Sequence, residues 1–302
     1  MTLRILENVP LDGKTSYGIG GPARFYAEPL SEEEVAEACR RAAERGLPVV
    51  VLGNGSNMLI SDRGVNALVV NLSACFSAVS WDRAKAFVLG GFPLDELAAE
   101  AARRGCAGIE ELSGIPGTAG GAVVMNAGAF GTEIAKTLRS ARVLRSRGLE
   151  VETVAAEQLA LGYRTSAIRG SGDIVLSAVF EFEPADAGEL VASREQVLNR
   201  RRAKQPLRLP SCGSVFKRPP DNYAGTLIES SGLKGFSVGG AMISEKHANF
   251  IVNTGGATAE DVRGVIRHAQ KVVYESSGIL LEPEVVFVGE FDTPLYTPLA
   301  SG

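Results

Sequence analysis

Two kinds of chemistry are open to this chain. The first is nucleophilic: Cys212 and His247 make up the minimal pair of a thiol and a base. With Cys39, Cys75, Cys106 and His268 they account for all 4 cysteines and 2 histidines. No CxxC or HxxxH spacing occurs, so no metal site is expected, and the cysteines read as small buried hydrophobes. The second is backbone chemistry, because 35 of 302 residues are glycine, gathered between apolar segments rather than spread through a linker. Gly53-Asn54-Gly55-Ser56-Asn57 follows an apolar run, where glycine permits positive φ and successive N–H groups form an anion-binding nest. It equally fits an ordinary Asn-Gly turn. A longer stretch, Leu112 to Ala122 and on through Asn126-Ala127-Gly128-Ala129-Phe130-Gly131, lets a flat ligand lie against bare backbone. In it, Thr118 is placed to cap a helix whose N-terminus faces a phosphate; a tightly packed helix with small faces is the alternative. A dinucleotide fingerprint from Gly53 fails at Met58, and a P-loop ending at Gly13-Lys14-Thr15 fails at Asn8.

The elements that must hold these loops follow from local pattern. A strand over 24–28, a helix capped by Ser31 with Glu34 and ending at Gly46, and a strand over 48–52 give a β-α-β start, with a further strand over 67–70. Short strands follow over 86–89, 141–145 and 174–182, around a helix from Pro93 to Gly105. Helices over 189–204 and 258–276 and a strand over 281–288 complete the chain. The last helix carries an apolar stripe of Val262, Val265, Ile266, Ala269, Val272 and Val273, with His268 off it. Expected domain boundaries fall at 64/65 and 187/188, dividing the chain into 1–64, 65–187 and 188–302.

Composition narrows the function. Hydrophobic residues are 45% and charged residues 22%, which is globular, and no apolar run is long enough for a membrane span. Against 35 acidic residues stand 31 Lys plus Arg, a net charge of −4, so nucleic acid is not an expected partner. Residues 1–11 lack the pattern of a secretory signal, and the expected location is the cytoplasm.

The loops together with Thr15-Ser16-Tyr17-Gly18-Ile19-Gly20-Gly21-Pro22-Ala23, Tyr163-Arg164-Thr165-Ser166, Cys212-Gly213-Ser214-Val215-Phe216-Lys217, Ala224-Gly225-Thr226-Leu227-Ile228-Glu229, Gly232-Leu233-Lys234-Gly235, Ser244-Glu245-Lys246-His247-Ala248-Asn249-Phe250 and Leu281-Glu282-Pro283-Glu284-Val285 resemble the UDP-N-acetylenolpyruvoylglucosamine reductase family. The resemblance covers nearly the whole chain. It implies an α+β fold, with a two-subdomain FAD-binding domain of the vanillyl-alcohol oxidase type and a C-terminal α+β substrate-binding domain. The implied reaction is reduction of UDP-N-acetylglucosamine enolpyruvate to UDP-N-acetylmuramate, with NADPH reducing the FAD, in bacterial cell-wall synthesis.

What the resemblance implies for single residues is specific. Arg164 and Glu284 stabilise the enolate, the guanidinium forking to the carboxylate and a protonated carboxyl donating a hydrogen bond. On the residues alone, Glu284 could be an inert strand carboxylate, and Glu282 is as good a candidate. Ser214 protonates the ether-bearing carbon, with Arg201 and Lys204 as the cations that make its alkoxide tolerable; those two also read as favourable charges near a helix C-terminus. FAD contacts are implied for Asn54, Gly55, Ser56, Asn57, Ile115, Pro116, Gly117, Thr118, Gly121, Asn126, Gly128 and Ala129. Substrate contacts are implied for Tyr163, Arg201, Lys204, Arg218, His247 and Asn249, with Arg218 standing where some relatives carry Asn. Neither loop contains a histidine, so a noncovalent FAD is expected. Longer family members carry a substrate-covering segment between the positions of Arg164 and Ser214. This chain has little room for it there and resembles the shorter subclass.

Other functions compete. A flavin oxidase or dehydrogenase of small alcohols explains the glycine loops but not Cys-Gly-Ser-Val-Phe-Lys. A cofactor-free thiol hydrolase using Cys212 and His247 explains neither loop. A non-catalytic nucleotide-sugar binder would have no need of Arg164 and Glu284.

Overall fold

The computed structural model describes residues 3–298; the outermost positions of the first and third expected segments, 1–2 and 299–302, lie outside them. Two compact units form, each assembled from separated stretches of chain. The first takes residues up to 8, 24–54 and 66–201, and the second takes 9–23, 55–65 and 202 onward. The expected boundary at 64/65 falls beside a crossing between units. The one at 187/188 falls at the start of a long helix, and the chain enters the second unit only after Arg201.

Two larger sheets lie mostly in the first unit, beside the two-stranded pairings of Gly128–Ala129 with Thr132–Glu133 and of Cys106–Ala107 with Glu183–Pro184. In one, of order Ile5–Pro10, Pro22–Ala27, Val65–Asn71, Val49–Leu52, the last two strands run parallel, pairing Val49 with Leu68 through Leu52 with Asn71. Helix α1 (Glu32–Glu44) buries Val35, Ala38, Cys39 and Ala42, one face at helical spacing, in a core with Leu68 and Val70. Its cap is as expected on one side only: Ser31 Oγ accepts from Glu34 N, while Glu34 turns its carboxylate to Leu30 N. The other sheet is antiparallel, in the order Val151–Ala155, Leu138–Leu144, Ile174–Glu181, Lys85–Leu89, Val79–Asp82. Helices α2 (Leu94–Arg103) and α3 (Ala119–Met125) share a core with it, built on Leu97, Ala101, Leu112, Val123 and Phe180. Helix α4 (Ala187–Lys204) follows. The strand Ile174–Glu181 and α4 fill the interval between Arg164 and Ser214.

The second unit centres on helix α6 (Ala259–Ser277), with the short α5 (Ala224–Ser230) beside it. Val262, Val265, Ile266, Ala269 and Val273 are buried as the stripe requires, and His268 instead stacks on Phe236 at 3.9 Å. The last strand is shorter than expected. Only Val286–Val288 is regular, in parallel with Met58–Ile60, because Pro283 lacks an N–H and its neighbours bond irregularly to residues 215–217. One cysteine departs from expectation: Cys75 is exposed, whereas Cys39, Cys106 and Cys212 are buried. No helix among the described residues is long and apolar enough to cross a membrane, and no metal-holding cluster occurs among them.

Candidate active site

In the first unit, the strand Val49–Leu52 delivers Gly53 and Asn54 directly onto the second glycine-rich loop. A Cβ at Gly53 would lie 2.6 Å from Thr118 Oγ1, so glycine leaves room for the capping side chain of Thr118. Asn54 Nδ2 donates to Pro116 O at 2.9 Å. Thr118 caps α3, its Oγ1 accepting from Gly121 N at 3.4 Å. The expectation that this helix end faces a phosphate is corrected, because Ala119 N and Gly120 N donate to Phe92 O and Gly90 O, both at 2.8 Å. The orphaned donors sit just before the helix. Among the described residues, the N–H groups of Asn54, Gly117 and Thr118 in this unit find no protein acceptor, and neither do those of Gly55, Ser56 and Asn57 in the second. In each unit, unsatisfied N–H groups next to glycines are donors suited to a phosphate. Ile115 and Gly117 beside them are half-buried, while Pro116 and Gly121 are exposed.

Farther along the same loop, Asn126 is buried in the left-handed region, φ 41°, and its amide is fully engaged within the protein. Its expected FAD contact is therefore open only to its backbone. Gly128 and Ala129 form one side of a hairpin with Thr132 and Glu133. Arg164 Nη2 donates to Gly128 O at 2.9 Å, and its guanidinium lies 5.3 Å from the ring of exposed Tyr163. Arg201, on α4, is buried, donates from Nε to Ser113 O at 2.6 Å and stands over the Phe130 ring. Burial holds its guanidinium below its usual pKa. Its place is against the loop, not at the surface. Asp95 belongs to the same construction and carries no sequence signal, since an acid in a helix's first turn is ordinary. It accepts from Gly114 N and from Arg194 Nη2, each at 2.7 Å.

In the second unit, Gly55 turns with φ 58°, and a Cβ there would sit 2.5 Å from Lys14 O. The chain from Ser56 then meets the C-terminal strand: Asn57 O accepts from Val286 N, and Asn57 Nδ2 donates to Glu284 O at 3.3 Å. The segment Cys212–Lys217 runs between two others. Ser214 bridges Phe250, Val215 N donates to Asn249 O, and Glu284 N donates to Val215 O at 2.7 Å. Asn57, Ser214 and Glu284 are thus brought together. Geometry also separates the two glutamates, because Glu282 is exposed and paired with Lys217, while Glu284 is half-buried and near Cys212.

The remaining expected contacts divide. Arg218 is exposed and stands 4.1 Å over the ring of Tyr223, an aromatic the sequence reading passed over; Lys204 is exposed at the end of α4. Asn249 is buried, with its amide both accepting from Phe216 N and donating to Phe216 O, so it splints the Ser214 segment. His247 is half-buried, and its Nδ1 accepts from Asn249 N at 3.3 Å, which requires a neutral ring. Burial chiefly lowers its pKa, so the unfolded chain binds that proton more strongly. Stability contributed here is present above the ordinary imidazole value of about 6.5 and is lost as pH falls through the lower folded value. The His247 resonance is accordingly expected to titrate below that ordinary value in a proton NMR series. Burial also pushes the Cys212 thiol up to about 12, with Tyr17 against it, so no thiolate is at hand for a hydrolase.

Orphaned loop donors on an α+β frame suit a phosphate-bearing cofactor, and residues 23–153 match the family model described as an FAD binding domain, which makes this an FAD-binding protein. Residues 205–288 match the model for the UDP-N-acetylenolpyruvoylglucosamine reductase C-terminal domain. Relatives are similar from end to end. The UDP-N-acetylenolpyruvoylglucosamine reductase 2 of Symbiobacterium thermophilum is 43% identical over 295 residues, 98% of this chain and 95% of that protein. The reductase of Caldicellulosiruptor bescii is 44% identical with the same coverage. The crystal structure of the Thermus caldophilus reductase superposes with a TM-score of 0.82 at 38% identity, covering 95% of this chain and all of that one. This chain belongs to the UDP-N-acetylenolpyruvoylglucosamine reductase family.

Proposed function

We propose that the chain reduces UDP-N-acetylenolpyruvoylglucosamine to UDP-N-acetylmuramate with NADPH and noncovalent FAD, a step in peptidoglycan precursor synthesis. The observation that carries this is similarity over nearly the full length of both partners. Asn54 to Asn57, Ile115 to Thr118, Gly121, the backbone of Asn126, Gly128 and Ala129 hold FAD. When bound, it supplies the hydride chemistry that no side chain performs. As the terminal carbon of the enolpyruvyl group gains hydride, charge passes into its carboxylate, where Arg164 forks to the oxygens and Glu284 donates a hydrogen bond. Ser214 then gives its proton to the ether-bearing carbon. Lys204, Arg218, Tyr163 and His247 hold the nucleotide sugar, while Arg201 and Asn249 act through the segments they fix. Segments 1–64 and 65–187 chiefly serve FAD and 188–302 chiefly the substrate, with Tyr163 and Arg164 as substrate contacts in the second segment. The protein works in the cytoplasm without nucleic acid, in keeping with its charge of −4.

The test is the visible spectrum of the purified protein under anaerobic conditions. Yellow colour that bleaches with NADPH and returns on adding the enolpyruvyl substrate is the expected result. A flavin that bleaches but is not reoxidised by this substrate points to another dehydrogenase on the same scaffold. A colourless protein that cannot be reconstituted with FAD removes the flavin reading.

A further inference from the structure

Arg164 is an improbable place for a long side chain. Its backbone sits at φ 54°, a region L-residues other than Asn, Asp and Gly rarely enter. Such a conformation persists only where the surroundings over-determine it. Here one network does so, and it contains a carboxylate with no part in the scheme above. Gly128 and Glu133 stand opposite each other in the hairpin. With no side chain on Gly128, Glu133 leans into the vacant space. A Cβ at Gly128 would meet Glu133 Cγ at 2.8 Å and Arg164 Nη1 at 3.4 Å, so the stem of Glu133 and the guanidinium both pack against one glycine. Gly128 O accepts from Arg164 Nη2 at 2.9 Å. Glu133 Oε2 is held by Asn126 Nδ2 at 2.9 Å; the same amide nitrogen donates to Gly162 O at 3.1 Å, and Asn126 Oδ1 accepts from Ala135 N at 3.1 Å. The amide thereby ties the hairpin to the turn that carries Tyr163 and Arg164, while Arg169 Nη1 donates to Arg164 O at 3.0 Å.

We propose that Glu133, held by Asn126, is a positioning residue for Arg164: it fixes which face of the guanidinium is offered to the substrate carboxylate. The proposal rests on the assignment of Arg164 to that carboxylate. In this role Glu133 acts through Gly128, the residue opposite it and the anchor of the guanidinium, and not by contact with the substrate. Its effect is confined to the half-reaction in which the enolpyruvyl carboxylate is present.

Glu133→Gln keeps an oxygen for Asn126 but removes the charge, and Glu133→Ala removes both. With each variant, the flavin spectrum, thermal midpoint, rate of bleaching by NADPH and rate of anaerobic reoxidation by the enolpyruvyl substrate are measured. Misplacement of a binding group by a fraction of an ångström to an ångström predicts reoxidation slowed on the order of ten-fold in Glu133→Ala, with bleaching unchanged and a smaller loss in Glu133→Gln. In Glu133→Ala combined with Arg164→Lys, reoxidation is expected to be no slower than in Arg164→Lys alone, since residues acting through one group are not additive. Multiplying effects, equal slowing of both half-reactions, or wild-type reoxidation in Glu133→Ala overturns the proposal. Should the wild-type flavin itself fail to be reoxidised by this substrate, it is the assigned reaction that falls.

Discussion

Arg164→Lys is expected to lower the rate at which the enolpyruvyl substrate reoxidises the reduced flavin by about 10²-fold, and Arg164→Ala by about 10³-fold, the scale for loss of a preorganised donor at a developing oxyanion. The carboxylate takes on charge only as hydride arrives, so a guanidinium aimed at it is worth more in the transition state than in the bound ground state. A lysine keeps one positive charge but not the planar fork, and it gives up the bond to Gly128 O that aims the group. Both replacements must occupy the same backbone at φ 54°, so the strain is common to them and cancels in their comparison. Glycine would release that strain and blur the result. Stopped-flow absorbance separates the half-reactions: reduction by NADPH is expected at the wild-type rate, and KM for the nucleotide sugar changes less than kcat. Equal losses in both halves would place Arg164 with the cofactor instead.

How much of this was legible beforehand depended on the range of the forces involved. Helices α1 and α6 were readable because their cause is local: Ser31 and Thr258 cap their own first turns, and Val35-Ala38-Cys39-Ala42 and the Val262-to-Val273 stripe repeat at the helical period. Thr118 was correctly read as a cap for the same reason. The direction in which that helix end looks was not readable. It depends on Gly90 and Phe92, a strand end distant in sequence, presenting carbonyls to Ala119 and Gly120. Long-range pairing likewise separates the two glutamates: they have similar sequence neighbours but bond opposite ends of the Val215–Lys217 segment, and only Glu282 pairs with Lys217. Asn126, Asn249 and Arg201 had the polarity of ligand contacts. Their side chains are held by backbone groups up to 88 residues away, and that of Asn126 also by the Glu133 carboxylate; composition carries no trace of that. The family's motifs named the segments while leaving open which polar groups in them hold the scaffold.

Ser214→Ala is the sharpest test of the proton donor. Its backbone is held by the bridge to Phe250 and by the flanking bond from Val215 N to Asn249 O, neither of which uses the hydroxyl. The alanine variant is therefore expected to fold, bind FAD and bleach with NADPH as the wild type does. Product formation should fall by about 10²- to 10⁴-fold, the usual contribution of a positioned acid. Ser214→Cys restores an acidic proton at nearly the same place, and a partial recovery is expected, greatest where the thiol is still protonated, below its ordinary pKa of about 8.5. Mass spectrometry in deuterated water adds a check, because the proton delivered by the hydroxyl comes from solvent and must appear at the ether-bearing carbon. If Ser214→Ala forms product within about two-fold of wild type, the acid lies elsewhere in the same unit. Glu284, on the adjoining segment, is then the group to replace, and the hydroxyl is left with a role in packing alone.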